Sequence, residues 1–257
     1  MKLGAIIITW ADSVCMLSSC IENVAKVAEE VIVVWSLNSN HGVRDNAVLQ
    51  FISTTKLKGV TWVEHEPTPR LKPSQNEIRK RNRGIDEAYK LGCTHFLMLD
   101  ADEYYKPEEL RIEKERFKNT DLNGMVHRIK VFVGSPTLCC LDNNTIVPGI
   151  QKIEKHTEVG TFQKYPFAYD HGVARIDGTR RTNVTTGVIM SDFFMYHASY
   201  VRRDIDMKIN NSSANLKNRK QIIYDDIRLA APGYFSKLYN EVLEECPNYF
   251  NLPEWRH

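Results

Sequence analysis

The stretch Thr94-His95-Phe96-Leu97-Met98-Leu99-Asp100-Ala101-Asp102-Glu103-Tyr104-Tyr105 constrains this chain more than any other. An apolar run without alternation that passes straight into three carboxylates suits a strand buried on both faces of a sheet. Both faces are covered only when helices pack on each side, so the run points to an α/β architecture. Open sheets of this kind take their ligands at the carboxyl ends of their strands, where Asp100 and Asp102 stand. If the chain stays extended, side chains alternate with period two and both aspartates point the same way. Two hard oxygen donors on one side suit a divalent cation, and through it a diphosphate. Acidic residues also follow buried strands simply because the chain has reached water, so the context decides.

Upstream, the same texture recurs. Residues 3–10 read as a first buried strand, and Asp12 or Ser13 can cap a helix with Leu17, Ile21, Val24, Ala25 and Ala28 at helical spacing. Residues 31–35 form a second strand ending in the polar turn Ser36-Leu37-Asn38-Ser39-Asn40, residues 45–55 a helix, and residues 60–64 a third strand. A proline-marked loop leads to a helix capped by Ser74 and running through Lys90, with Gly92 stopping it before the central strand. The order β-α-β-α-β-α-β predicts a parallel sheet with helices on its faces. Right-handed crossovers then set Trp10 and Asp12, Ser36 and Asn38, and Asp100 and Asp102 along one edge.

The second half has another character. Pro107 opens a helix over 107–118, residues 124–134 alternate as a half-exposed strand, and residues 139–180 are loop-rich. Residues 187–190 and 193–196 are further strand candidates with His197 at their end, Ser199 to Asp206 opens a helix reaching about Ala214, and 219–250 reads as mostly helical. At 257 residues and 42% hydrophobic content one large core is within reach, so neither disulfides nor metals are needed for stability. A net charge of +2 leaves nucleic-acid partners open. No apolar run has the length of a membrane span. The first ten residues read as a strand rather than a leader, and the six cysteines form no C-x-x-C pair. A cytoplasmic protein is expected.

Two segments together resemble a known family. Arg81-Asn82-x-Gly84-Ile85, ten residues, then Phe96 to Glu103 is similar to the signature of GT-A fold, family-2-like glycosyltransferases, and Tyr196-His197-x-Ser199-Tyr200-Val201-Arg202-x-Asp204-Ile205 with Lys208 is similar to a stretch of small soluble bacterial and bacteriophage members. The resemblance covers roughly residues 3–215 and implies a single GT-A (Rossmann-like) domain, a mostly parallel sheet flanked by helices. Residues 1–105 would be the nucleotide-sugar half, 106–215 the acceptor half and 216–257 a helical extension. It implies transfer of a sugar from a nucleotide-diphosphate sugar, a UDP-sugar by family habit, to an acceptor hydroxyl on a surface glycan or a hydroxymethylated DNA base. Where the family carries an aspartate after the second strand, this chain has Trp35-Ser36-Leu37-Asn38, with Asn38 or Ser36 able to bond a base and Trp35 able to stack on one.

On this reading Asp100, Asp102 and His197 hold Mn²⁺ or Mg²⁺, with Asp102 the firmest ligand and Asp100 nearer the ribose or acting through water. Thr9, Trp10, Asp12, Trp35, Asn38, Arg81, Ala101, Arg202 and Arg203 join Asp100 and Asp102 in binding the donor. Arg81 braces Asp100 or meets the diphosphate, and Arg202 and Arg203 close over the phosphates. An inverting enzyme needs a general base, for which Asp170 and, second, Glu158 are the candidates; a retaining one does not. A nucleotidyltransferase would also use paired aspartates, but would bring a Gly-rich phosphate loop where this chain has Thr9-Trp10-Ala11-Asp12. A non-catalytic glycan- or nucleic-acid-binding module would have no need of the metal-ligand set.

Overall fold

The computed structural model describes residues 1–160, 175–184, 186–211 and 216–255. Strands β1 (Leu3–Ile8), β2 (Glu30–Trp35), β3 (Val60–Glu64) and β4 (His95–Asp100) lie parallel in the order β3-β2-β1-β4. Helices α1 (Val14–Val24), α2 (Ala47–Thr54) and α3 (Pro73–Lys90) connect them. Every residue of β1 is buried, as an unbroken apolar run between two helical layers requires. Period-two alternation divides these strands between two cores. Leu3, Ala5, Ile7, Val31, Val33, Leu97 and Leu99 pack with Met16, Leu17 and Ile21 of α1, while Ile6, Ile8, Ile32, Val34, Phe96 and Met98 pack with Ile85 and Ala88 of α3.

The second half extends the same sheet. After β5 (Glu103–Tyr104) and α4 (Pro107–Lys118) come β6 (Gly124–Val133), β7 (Leu138–Lys152), β8 (Arg175–Ile176) and β9 (Val188–Tyr200). The sheet continues from β4 as β7-β6-β9-β5, with β7 antiparallel to both β4 and β6, and β6 parallel to β9. Helices α5 (Ile205–Asn211) and α6 (Lys220–Leu229) precede short strands β10 (Phe235–Ser236), β11 (Glu241–Val242) and β12 (Glu244–Glu245). The fold is α/β: a mixed sheet with a parallel core, flanked by helices.

Three expectations are corrected here. The loop-rich texture of 139–180 hides β7, a strand of 15 residues carrying Pro148 and Gly149, whose neighbours β6 and β4 override local propensity. The separate strand candidates at 187–190 and 193–196 are one strand, β9, which runs on through His197 to Tyr200, so the next helix starts only at Ile205. Among the described residues the C-terminal stretch is helical only in a short 3-10 turn, Leu216–Arg219, and in α6. Asp226 of that helix, 1% exposed, accepts hydrogen bonds from the hydroxyls of Tyr234 (3.1 Å) and Ser236 (2.6 Å) and the backbone N–H groups of Lys237 (3.2 Å) and Leu238 (3.0 Å). Those bonds fold the chain back into the β10–β11 hairpin instead of letting a helix continue.

Candidate functional site

A polar cavity of about 250 Å³ opens at the carboxyl ends of β1, β2 and β4, with β9 and α5 as its far wall. Thr9, Trp10, Asp12, Asp100, Asp102 and His197 line it as the sequence suggests, joined by Ser36, Lys80, Asp177, Arg180 and Lys208. The strand ends at Asp100, and Ala101 and Asp102 form a turn, so the two aspartates do not follow strand alternation. They serve different partners.

Asp100 faces guanidinium groups. Arg81, fully buried on α3, donates from Nη2 to Asp100 Oδ1 at 2.8 Å and to Glu77 at 2.7 Å. Arg180 bonds Asp100 Oδ2 and also Glu103, donating from Nη1 to Glu103 Oε2 at 2.8 Å. Burial pushes the Asp100 carboxyl up, but Arg180 and Arg81 outweigh it and hold it at about 2. Arg81 is therefore a brace of Asp100, fully buried and outside the cavity lining.

Asp102 is 1% exposed. Its Oδ2 accepts from Arg202, from Lys208 Nζ at 3.2 Å and from Ser199 Oγ at 3.2 Å. Burial pushes this carboxyl up, while Lys208, Arg202 and His197 hold it well below the usual carboxylate range. Its Oδ1 is buried without a hydrogen-bond partner, and His197 Nε2 lies 3.6 Å away. An orphaned anionic oxygen beside an imidazole nitrogen fits a divalent cation such as Mn²⁺ or Mg²⁺. Asp100 does not complete the set, because both its oxygens are taken by arginines, and among the described residues no three His, Cys, Asp or Glu side chains surround one point.

Several expected donor contacts fall elsewhere. Arg202 is fully buried, bonding Ser199 O at 2.7 Å and Asp12 O at 2.8 Å besides Asp102, so it is a strut and not a lid; Arg203 is exposed and does not line the cavity. Trp35 is packed within the sheet end at 7% exposure, outside the cavity lining. Asn38 turns away to Glu66, bonding it from Nδ2 at 2.7 Å. Ala101 is fully buried, its N–H bonded to Ile8 O. Glu158 is exposed away from the cavity, its backbone tied to Asn183, and Asp170 lies outside the described residues.

The residues missed from sequence are the cations Lys80, Arg180 and Lys208, and the carboxylate Asp177. Lys80 precedes the Arg-Asn pair directly, and only its burial, at 4% exposure, separates it from the neighbouring exposed Arg79. Asn82 explains its own place in the motif: its amide bonds Val159 O at 2.9 Å and Val159 N at 2.7 Å, pinning the second half onto α3.

No family model and no curated protein matches this chain. Among solved structures, S. aureus TarS is similar over 89% of this chain and 43% of its own, with 15% identity and a TM-score of 0.45. A Pyrobaculum calidifontis mannosyltransferase in complex with GDP-Man and Mn²⁺ is similar over 48% of this chain and 34% of its own, with 16% identity and a TM-score of 0.34. A CMP:2-keto-3-deoxy-manno-octonic acid synthetase complexed with CTP is similar over 54% and 58%, with 13% identity and a TM-score of 0.36. The chain spans 36% of the length of the TarS fragment solved with UDP. Fold and site together define an α/β protein with a cavity lined by charged groups at the ends of its parallel strands. Among the described residues no helix is long and apolar enough to cross a membrane.

Proposed function

We propose that this chain is a glycosyltransferase that binds a nucleoside diphosphate sugar and transfers the sugar to an acceptor hydroxyl. The observation that carries the reading is a single cavity holding an unpartnered, buried Asp102 oxygen beside His197 together with the ammonium groups of Lys80 and Lys208. A departing diphosphate gains negative charge, and fixed cations at that point lower the barrier. Asp102 and His197 would hold Mn²⁺ or Mg²⁺, which supplies Lewis-acid stabilisation of that charge. Arg202 and Lys208 keep Asp102 ionised, while Arg81 and Arg180 fix Asp100 at the cavity wall. For an inverting reaction the acceptor's proton passes to Asp177, the cavity carboxylate from the second half, whose Oδ1 is steadied by the Thr179 backbone N–H at 2.8 Å.

The test is thermal melting with nucleotides and nucleotide sugars, with and without Mn²⁺. A ligand at a hundred times its Kd adds about 2.7 kcal/mol of stability, a rise of several degrees for a chain of this size. The expected result is a shift with a diphosphate sugar that needs Mn²⁺ and is lost in Asp102→Asn and in His197→Ala. A shift with triphosphates alone would move the chain to the nucleotidyltransferases, and no shift with any nucleotide would end the donor reading. Acceptor screening then runs over glycans and hydroxymethylated DNA, read as nucleoside diphosphate released.

A further inference from the structure

The cysteines follow no spacing motif, yet folding brings two of them together. Strand β12 lies antiparallel to β7, with Glu244 opposite Cys139 and Glu245 opposite Leu138. The next residue, Cys246, donates its backbone N–H to Thr137 O at 2.9 Å. Side chains alternate along both strands, so Cys246 and Cys139 stand on one face as diagonal neighbours. The Cys246 thiol donates a hydrogen bond to Cys139. Cys140 belongs to the other face, where it packs with Val133 and Leu243.

The two sulfurs are unequal. Cys139 is 2% exposed whereas Cys246 is partly exposed, so an oxidant arrives at Cys246. The hydrogen bond from Cys246, helped by Lys130 and Lys106, pulls the Cys139 thiol down against burial, and the same bond pushes Cys246 up. The first proton lost therefore belongs to the pair, and the thiolate is the reactive form. Past Cys246 the chain turns back onto the sheet. Phe250 stacks on Tyr104 at 5.0 Å and meets Tyr196 edge-on at 5.2 Å and Phe132 at 6.3 Å. Phe132 is the β6 partner of Cys139, and Tyr104 pairs with Tyr196 beside the Glu103–His197 pair. The thiols thus anchor the segment that packs behind the cavity wall.

We infer that Cys139 and Cys246 form a redox clip, closed by a peroxide into a disulfide that fixes residues 246–252 over the β5–β9 pairing and reopened by a dithiol. This inference is independent of the donor reading. In the first step the Cys246 sulfur attacks hydrogen peroxide; an S–O bond forms, the O–O bond breaks and water leaves. The Cys139 sulfur then attacks Cys246, forming the S–S bond and breaking S–O, and the second oxygen leaves as water. Two thiols lose two electrons and two protons, and one peroxide becomes two waters. A dithiol reverses the result by exchange, ending as a disulfide itself. Cys246 lies just past the end of β12, where the chain is free of the ladder and can bring its sulfur to bonding distance. The crosslink closes a loop of roughly a hundred residues, and long loops are those in which a disulfide restricts the unfolded chain most.

The experiment treats the folded chain with hydrogen peroxide, blocks remaining thiols and maps peptides by mass. Expected are an intact monomer lighter by two hydrogens, one crosslinked peptide joining Cys139 to Cys246, and a Tm several degrees above that of the reduced chain. Amide exchange in residues 246–252 should slow, and dithiothreitol should reverse every change. Cys246→Ser should fold and show none of them, with Cys246→Ala deciding if the serine variant does not fold. Replacement of the exposed Cys15 by serine should leave them all in place. A crosslink to Cys140 or to a second chain, oxidation that stops at a sulfinic acid on Cys246, or closure that leaves Tm unchanged or lowered would overturn the inference.

Discussion

At residue 84 a side chain has no room. A Cβ on Gly84 would lie 2.3 Å from Ile6 Cγ2 and 3.1 Å from Val34 Cγ2, so α3 approaches β1 and β2 as closely as it does only through a glycine. Gly84→Ala should destabilise by about 1–3 kcal/mol through overpacking. In Gly84→Ala combined with Ile6→Ala the clash is relieved, so urea denaturation should show a loss smaller than the sum of the single losses. Additive losses would mean that contact with Ile6 is not what excludes a side chain. The members of the Arg-Asn-x-Gly motif thus act separately, since Arg81 braces Asp100, Asn82 pins Val159, and Gly84 seats the helix. The motif is legible in the sequence, but what each member holds is not. In the run Arg79-Lys80-Arg81 all three residues carry charge, and one is exposed while two are buried. Charge shows in a sequence; burial of an individual charge depends on what packs over it.

Helix α4 is legible in Pro107 and the charged run that follows it, yet what it buries is not. Glu113 on that helix is 3% exposed, accepts from Ser191 of β9, and lies 3.3 Å from Nε2 of the fully buried His127 on β6. Burial pushes Glu113 up to about 7, against a smaller pull from Ser191, and pushes His127 down to about 4. The signs oppose. Glu113, raised from 4.5, stabilises the fold fully below pH 4.5 and loses that contribution as pH rises through 7. His127, lowered from 6.5, contributes above pH 6.5 and loses it as pH falls through 4. Between those limits the two slopes largely cancel, so wild-type stability should be nearly flat in the acid range. Glu113→Gln removes one of them. Its stability relative to wild type should rise between pH 5 and pH 8 by up to about 3 kcal/mol, measured by urea denaturation at both pH values. Parallel pH profiles would show that Glu113 is ionised throughout. At this scale the parallel strands are legible because both faces are apolar, whereas β7 is not, because its Pro148 and Gly149 look like a loop until β6 is beside it. Gly149 is there for His127, whose Nε2 lies 2.2 Å from where a Cβ would stand.

The molecule is two halves joined along a seam, and the seam ends in the site. Backbone pairing between β4 and β7 covers only His95–Lys152 and Phe96–Gln151, at the end of β4 away from the cavity. At the cavity end β5 pairs with β9 (Glu103–His197 and Tyr104–Tyr196) and Ala198 N–H bonds Asp102 O at 2.8 Å, and side chains add to that backbone seam: Arg180 on Asp100 and Glu103, Thr179 on Glu77 at 3.0 Å, and Arg202 between Asp12 and Asp102. Asp100 and Asp102 can be found in the sequence because a strand end can be read locally, whereas His197, inside β9, is reached only through the resemblance. The cationic partners of the aspartates cannot be read locally, since Arg180 and Arg202 come from 80 and 100 residues away and only the folded sheet brings them together. The same arrangement makes stability and the site interdependent. Arg180→Met would leave Asp100 and the 2% exposed Glu103 without their shared guanidinium, at an expected cost of about 3–5 kcal/mol. Asp100→Asn in the same chain should recover part of that loss, because one of the stranded charges is gone. The double-mutant cycle, read by urea denaturation, should therefore give a coupling well above the few tenths of a kcal/mol seen for independent sites. Simple additivity would mean that the backbone pairing of β4 with β7 and of β5 with β9 holds the halves, and that Arg180 could leave Asp100 when a ligand enters at little energetic cost.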